Sequence, residues 1–295
     1  MTTAVGAARI TTIPRATWRW AHVAVAAATL AVLVWRLGTG PFLDGLRAVD
    51  GWALAAASGL AVLTTVCCAW RWRIVARGLG VDLPLDTAVA AYYRSLFLNV
   101  TLPGGVVGDV HRGYSHGRDT SDVGRGLRGV AWERSAGQVV QVVLTVAAFL
   151  VLPSPVHAVV PLAALGLIAV AVGVVLPVRA RAWPAIALAS ALVVAGHAAT
   201  FLIAARSAGV TAPVSEMLPL ALLVMQAAAL PNVGGWGPRE GVTAWAFAAA
   251  GLGASLGVAT AVVYRVMVFV ASLPGAVVLL GGLGVRVHWE EAADA

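Results

Sequence analysis

Six apolar runs divide the sequence, and most of them approach the ~20 residues that an α-helix needs to cross a bilayer. The runs are Ala21–Trp35, Trp52–Trp70, Gly137–Leu152, Val156–Pro177, Trp183–Ala205 and Leu256–Leu283. Of the 295 residues, 60% are hydrophobic and only 11% are charged, so a soluble core of this size could not bury the apolar surface. A water-soluble globular enzyme and a disordered chain are therefore excluded. The sequence predicts an all-α polytopic membrane protein that forms a single transmembrane domain over residues 1–295.

The charged residues indicate how the runs are oriented. All 20 basic residues are arginine and the net charge is +7; the absence of lysine excludes Schiff-base chemistry. Because positive residues favour cytoplasmic loops, the segments expected inside the cell are 9–19, 71–77, 112–128, 179–181 and the tail at 286. Topology in a cell membrane thus explains the arginines without a nucleic-acid partner, and both termini are expected to be cytoplasmic. The first run is interpreted as an uncleaved signal anchor, with a cleaved signal peptide as the alternative.

Two further apolar segments, 85–107 and 217–251, are broken by proline and glycine. The flanking charges place the first hairpin on the inner side and the second on the outer side, and each either re-enters the membrane or crosses it twice. The unit 52–152 then has the opposite topology to the unit 183–283, with cytoplasmic tails at 1–20 and 284–295. We therefore expect about six full transmembrane helices plus two broken hairpins, arranged as inverted repeats. In transporters of that design the broken helices form the substrate site near the midplane.

Charged and polar residues accompany both breaks, where a helix interrupted in lipid needs a cavity or a protein neighbour. Helix N-termini beginning after Gly105 and Pro238 would direct free N–H groups at a ligand, and arginines would bind an anion such as phosphate in a bidentate manner. Arg265 lies near the middle of the last run, where an arginine costs ~2.5–3.5 kcal/mol on insertion scales. The expected substrate-binding residues are Arg94, Asn99, Gly104, Gly105, Asp109, Arg112, Glu133, Arg134, Gly234, Gly235, Arg239, Glu240 and Arg265.

The same residues also have purely structural interpretations. The charges at 109 and 112 can form a local pair on a cytoplasmic helix, those at 133–134 can cap the start of a span, and those at 239–240 can hold the outer hairpin closed. Arg265 can be a structural partner of Glu240 or Glu133, and Glu240 is the favoured one because the outer hairpin immediately precedes the last span. These alternatives stay open on the sequence alone.

Motifs for metal binding and nucleotide binding are absent. The sequence contains no H-E-x-x-H and no G-x-x-x-x-G-K-[ST]. We expect no catalytic residue, metal site or cofactor. Cys67 and Cys68 are adjacent in an apolar run and suit neither a disulfide nor a metal site. Arg71, Trp72 and Arg73 are interpreted as anchors at a membrane interface, and His197 as a packed or hydrogen-bonded residue within a span.

Four stretches have an order and spacing typical of a known family: Trp70–Arg73, Phe97–Arg112, Glu133–Arg134 and Gly234–Gly241. Along nearly the whole chain they resemble the lysylphosphatidylglycerol synthase transmembrane region family. Where that family often has Gly-Gly-Asp or Gly-Val-Arg-Glu, this chain has Val107-Gly108-Asp109 and Gly237-Pro238-Arg239-Glu240, which keep the charged residues. The resemblance implies a flippase-like, lipid-handling membrane domain of a stand-alone member, without the soluble aminoacyl-transferase domain of the bifunctional members.

The two breaks are expected to line a polar chamber. This chamber and the resemblance together predict that the protein moves a phospholipid or another anionic lipid across the bacterial membrane and has no ATPase of its own. The expected partners are therefore membrane lipids, in particular anionic phospholipid. Two alternatives stay open. One is a membrane scaffold or subunit for a separate soluble or membrane-bound lipid-modifying enzyme. The other is a lipid-modifying transferase, whose acid–base candidates would be Asp109, Glu133 and Glu240.

Overall fold

The computed structural model describes residues 15–153, 180–227, 232–233 and 236–281. Within these ranges the chain forms ten α-helices and a short 3₁₀ turn, and it contains no β-strand. The helices are α1 Arg15–Leu37, α2 Gly40–Arg47, α3 Gly51–Gly78, α4 Leu85–Thr101, α5 Val107–Asp119, α6 Val123–Val151, α7 Trp183–Ser207, α8 Val214–Gln226, α9 Pro238–Ala249 and α10 Ala254–Ser272. The prediction of an all-α membrane fold is confirmed.

Four helices are long and apolar enough to cross a bilayer: α3, α6, α7 and the helix Ala254–Gly281, which begins as α10. They correspond to four of the six predicted runs. The first run belongs to a bent pair, because the segment Ala24–Leu37 meets α2 at 98°. The run Val156–Pro177 lies outside the described residues, so the total of six spans stays a prediction.

Two of the spans begin at an aspartate that caps the helix. Asp50 accepts a hydrogen bond from the backbone N–H of Ala53 at 2.6 Å, and Asp122 accepts one from Arg125 at 2.8 Å. Such caps satisfy N–H groups that the first helical turn leaves without partners. Because Asp122 starts α6 at Val123, this helix extends well before the apolar run predicted from Gly137.

Helices α3 and α7 pack along each other at the centre of the fold. Their approach depends on a small residue, since a Cβ added at Gly196 would overlap the side chain of Thr64. Small residues allow such close contacts between helices in lipid, where no hydrophobic force drives association. This central pair joins the two halves of the chain.

The remaining contacts repeat between the halves. Helix α5 packs on α6 as α9 packs on α10, and α4 contacts α3 and α5 as α8 contacts α7 and α9. Across the halves, α6 contacts α7 and α8 as α10 contacts α3 and α4. This pairing agrees with a two-fold relation between the units 52–152 and 183–283. Their opposite insertion in the bilayer stays a prediction.

The two predicted breaks meet inside the protein. The backbone N–H of Gly104 donates to the carbonyl of Asn232 at 3.1 Å, and Pro103 forms an isolated antiparallel bridge with Val233. Gly105 has a φ of +64°, and a Cβ there would lie 2.8 Å from the Asn232 amide. A glycine is therefore required for the approach. The second break thus supplies an acceptor for a backbone N–H of the first, which lipid could not satisfy.

Candidate functional site

A polar chamber of about 270 Å³ lies between the two units, and every helix from α3 to α10 contributes to its wall. Its position beside both breaks is the one expected from the sequence. Its polar lining residues are Arg71, Tyr92, Ser95, Asn99, Asp109, Arg134, Gln138, Gln141, Ser190, His197, Arg239 and Tyr264. A polar cavity at this depth can receive a ligand group that the surrounding bilayer excludes.

A buried ion pair links α3 and α6 at one wall of the chamber. The Nε of Arg71 donates to Oε1 of Glu133 at 2.7 Å, and its Nη2 donates to the same oxygen. Its Nη1 donates to the hydroxyl of Ser190 in α7 at 3.0 Å. Arg71 therefore fastens three long helices at one point. The interpretation of Arg71 as an interface anchor is wrong, because only 7% of the residue is exposed.

The second oxygen of Glu133 binds another arginine. Nη2 of Arg112 donates to Oε2 of Glu133 at 3.1 Å and to Oδ1 of Asp109 at 3.0 Å. The Arg112 guanidinium lies 3.9 Å from the ring centre of Tyr92 and 4.4 Å from that of Trp72. Two aromatic faces thus stabilise a cation that is almost completely withdrawn from water. Trp72, like Arg71, is buried and does not anchor the chain at an interface.

Asp109 connects this network to the chamber. Its carboxylate accepts hydrogen bonds from Ser95 at 3.3 Å and Asn99 at 2.7 Å, and it forms an ion pair with Arg134 besides that with Arg112. The partners come from α4, α5 and α6, so the local-pair interpretation of Asp109 with Arg112 is too narrow. Glu133 likewise does not cap a span, since α6 begins at Val123.

Both helix N-termini at the breaks are occupied by the chain's own side chains. The N–H of Gly108, in the first turn of α5, donates to Oδ1 of Asn99 at 2.7 Å. The N–H of Gly237 donates to Oε2 of Glu240 at 2.7 Å as α9 begins at Pro238. The expectation that these N-termini present free N–H groups to a ligand is corrected in part, because one N–H at each is already bonded.

The arginines of the second unit lie close to the meeting point of the breaks. Nη2 of Arg265 donates to the carbonyl of Val100, in the last turn of α4, at 2.9 Å. Arg265 thus faces the interior and contacts the first broken segment. The favoured ion pair with Glu240 is not formed, because Glu240 accepts from its own helix start. The side chain of Arg265 also stands over the ring of Trp236 at 5.8 Å.

Arg239 differs from the other chamber arginines. Its guanidinium lies 5.0 Å from the ring centre of Tyr264. In the described part of the chain, no carboxylate oxygen approaches it within 4.0 Å. The expected closing pair with Glu240 is therefore not present. Arg239 offers the chamber a positive charge with free hydrogen-bonding capacity.

The structure distributes the expected substrate-binding residues over several places. Asn99, Asp109, Arg134 and Arg239 line the chamber, whereas the expected ligands Arg112, Glu133, Glu240 and Arg265 are buried outside its lining. Gly104 and Gly105 lie in the contact between the breaks, and Arg94 lines a separate cavity. Gly234 and Gly235 lie outside the described residues. A substrate-binding role for any of them stays a prediction.

Several chamber residues were missed from the sequence, namely Arg71, Tyr92, Gln138, Gln141, Ser190, His197 and Tyr264. One signal could have found Arg71. Thr64, Cys68 and Arg71 follow one another at spacings of four and three residues, so they form a polar stripe on one face of an apolar helix.

An apolar cavity of about 70 Å³ adjoins the polar chamber. The two share Cys68, Tyr92, Leu96 and His197 in their linings. The apolar cavity continues between α3, α4, α7 and α10, past residues such as Ala57, Val100 and Met267. Polar and apolar compartments are therefore contiguous within one site.

The comparisons with known proteins concern mainly the first unit. The family model for the lysylphosphatidylglycerol synthase TM region matches residues 19–182, which is more than half of the chain. This stretch contains Arg71, Asp109, Arg112, Glu133 and Arg134, whereas Arg239 and Arg265 lie beyond it. No curated protein matches the chain.

Proposed function

Because the chain belongs to the lysylphosphatidylglycerol synthase TM region family, a family of lipid-handling membrane proteins, we propose that it moves an anionic lipid between membrane leaflets. The lipid is a phospholipid or another lipid with an anionic headgroup. The sequence contains no P-loop, so movement proceeds down a gradient or is coupled to an ion. In this proposal the protein resides in the cell membrane with both termini in the cytoplasm.

The observation that carries this proposal is the guanidinium of Arg239 in the polar chamber, which has no carboxylate partner among the described residues. Arg71 and Arg134 line the same chamber, and the carboxylate in the lining is Asp109. Glu133 is bonded to Arg71 outside the lining. If it is counted as well, three arginines are balanced by two carboxylates, which are those of Asp109 and Glu133. The excess positive charge suits an anion, and the planar fork of an arginine matches the oxygens of a phosphate.

The apolar cavity favours a lipid over a water-soluble anion. A headgroup in the polar chamber would place its glycerol and acyl chains near the shared residues Cys68 and Leu96. The chains could then follow the apolar cavity between α3 and α10. Acyl chains come from a bilayer that is equally apolar, so the cavity accommodates them without a hydrophobic gain. A water-soluble anion has no chain to place there.

The environment of the carboxylates gives less support to a transferase. Asp109 and Glu133 already accept hydrogen bonds from arginines, and Oε2 of Glu240 accepts the N–H of Gly237. A general base needs a lone pair within reach of the substrate proton. Asp109 and Glu133 are ion-paired and Glu240 lies outside the chamber lining, so these carboxylates serve better as structural and positioning groups.

The proposal is tested with purified protein in liposomes that carry fluorescent phosphatidylglycerol in one leaflet. Chemical quenching from outside reports how fast the labelled lipid redistributes, and protein-free liposomes provide the baseline. Faster redistribution of chemically unchanged lipid supports the proposal. Conversion of the lipid to a new species would indicate the transferase. A rate equal to the baseline would contradict lipid movement and leave the scaffold as the better explanation.

A further inference from the structure

A second cavity, of about 570 Å³, lies on the other side of the ion-pair network. Residues of α4 and α5 form most of its lining, together with Trp72, Leu83 and Val278. It shares no lining residue with the polar chamber. Arg112 lines the second cavity, whereas its bonding partner Asp109 lines the chamber, so this arginine separates the two spaces.

Arg112 brings unused donors to this cavity. Its Nη2 binds both carboxylates, while Nε and Nη1 are buried without a hydrogen-bond partner in the described residues. The residue is only 1% exposed. An unsatisfied buried donor is costly, and more so when it carries charge. The two nitrogens point to different edges of the guanidinium, so each can donate a single charge-assisted hydrogen bond to an anion.

A second buried group lies beside Arg112. The ring of His116 packs edge-on against Trp72 with centroids 5.2 Å apart, and its Nε2 is buried without a partner in the same described residues. His116 and Arg94 both line the second cavity. The basic side of the cavity thus combines a guanidinium edge, an imidazole and a further arginine.

Two exposed carboxylates add negative charge to the lining of the same cavity. Asp86 at the start of α4 and Asp119 at the end of α5 line it, and both residues are exposed. A simple anion would be repelled by these carboxylates as it entered. A ligand with an ammonium group next to its phosphate would satisfy both ends, since opposite charges then lie beside each other.

We propose that the second cavity binds an amine-bearing phosphate, with the phosphate on Arg112 and His116 and the ammonium group toward Asp86 and Asp119. The ligand class is a phosphoethanolamine group, either free or as the headgroup of a phospholipid. Its binding does not require lipid movement through the polar chamber. If phosphoethanolamine did not bind in the second cavity, lipid movement through the polar chamber would still stand. If the chamber moved no lipid, binding in the second cavity would still stand.

Binding is measured by calorimetric titration of O-phosphoethanolamine into the full chain in nanodiscs of phosphatidylglycerol. Arg112 is part of the buried network, so the variants leave it unchanged. Ala90→Leu fills the cavity without altering charge, and should abolish the heat of binding. The double variant Asp86→Asn with Asp119→Asn should weaken the binding of phosphoethanolamine about fivefold, as expected for exposed ion pairs. The affinity for inorganic phosphate should stay the same or increase. Asp44→Asn, on the exposed α2, is the matched control.

The source of the group is decided by native mass spectrometry after reconstitution in mixed phosphatidylethanolamine and phosphatidylglycerol. Retention of phosphatidylethanolamine that is lost in Ala90→Leu supports a lipid headgroup. Binding of free phosphoethanolamine without retained lipid supports a soluble ligand. Two results would overturn the proposal: no binding of either form to the unaltered protein, or binding that Ala90→Leu leaves unchanged in a folded variant.

Discussion

The guanidinium of Arg71 and the carboxylate of Glu133 form a direct ion pair between α3 and α6, with Nε to Oε1 at 2.7 Å. Both side chains are almost entirely inaccessible to solvent. Removing one partner from such a pair leaves an uncompensated charge in a poorly solvated place. The pair therefore tests how the network contributes to the fold, separately from any ligand.

Replacing Arg71 by methionine should lower the free energy of unfolding by about 3–5 kcal/mol, the usual cost of breaking a buried pair. The double variant Arg71→Met with Glu133→Leu should recover part of this loss, and Arg112 keeps Asp109 as a partner. Denaturant unfolding in detergent micelles measures both. Asp44→Ala, which breaks an exposed pair with Arg47, should change stability by less than about 0.5 kcal/mol. If Arg71→Met and Asp44→Ala lowered the free energy of unfolding equally, this result would contradict a buried Arg71–Glu133 pair.

Alanine at Arg239 should slow lipid redistribution by about ten- to a hundredfold, the expected loss for a hydrogen bond to a charged group. Arg239→Lys should retain part of the activity because it keeps the positive charge. It should not retain all of it, since lysine lacks the planar fork of the guanidinium. Stability should change little, since Arg239 has no carboxylate partner in the described residues. Arg118→Ala, at an exposed position near the end of α5, removes the same charge outside the chamber. An equal loss in this control would mean that overall charge explains the activity.

Arg265→Ala should destabilise the fold by about 1–3 kcal/mol, because the carbonyl of Val100 would lose its donor next to the first break. Arg265→Lys should cost less, since an ammonium group can still donate. Thermal unfolding in micelles gives the values. Arg206 also donates to carbonyls, those of Val210 and Ala212, but near the surface. Arg206→Ala should therefore cost less than Arg265→Ala, and the reverse order would show that Arg265 does not support the break.

The crossing of α4 and α5 depends on Gly108. A Cβ at this position would overlap the carbonyl oxygen of Ser95, so Gly108→Ala should separate the helices and loosen Asp109 from Ser95 and Asn99. A fall in melting temperature of several degrees is expected, corresponding to about 1–3 kcal/mol for overpacking. Gly59→Ala in α3 meets no neighbouring atom and should be neutral or slightly stabilising. Similar melting temperatures for the two variants would rule out the close crossing.

The opposite insertion of the two units is tested with single cysteines in a background without Cys67 and Cys68. Cysteine at Thr120, between α5 and α6, should be protected from a membrane-impermeant thiol reagent in intact cells. Cysteine at Thr211, between α7 and α8, should react. Cysteines at Thr2 and Ala293 should also be protected, because both termini are expected to be cytoplasmic. Labelling at Thr120 or protection at Thr211 would contradict the inverted arrangement.

The sequence predicts the described spans and both breaks because these depend on local physics. Apolar length determines which segments can cross a bilayer, and proline with glycine ends a helix wherever it occurs. The predicted breaks at Pro103 and Gly237 are found between α4 and α5 and between α8 and α9. The start of α6 was misplaced because charged residues in Val123–Ala136 interrupt the apolar run. Arg125, Arg128 and Arg134 are exposed on this part of the helix, and Glu133 is buried.

The partners of the charged residues could not be read from the chain. Arg71 and Glu133 are 62 positions apart, and their pairing depends on the rotation of α3 against α6. The arginine beside Trp72 also matches an interface anchor, and only the three-dimensional packing separates the two interpretations. Helix order predicts an ion pair between Glu240 and Arg265. In the structure Oε2 of Glu240 instead accepts the N–H of Gly237, three residues earlier in the chain.

The hydrogen bond from Gly104 to Asn232 has a consequence for biosynthesis. The ribosome synthesises Gly104 long before Asn232, so the Gly104 amide lacks this acceptor until the second break has been made. The contact between the breaks therefore forms only after both halves of the chain exist, and a chain truncated before Asn232 leaves this amide without its partner.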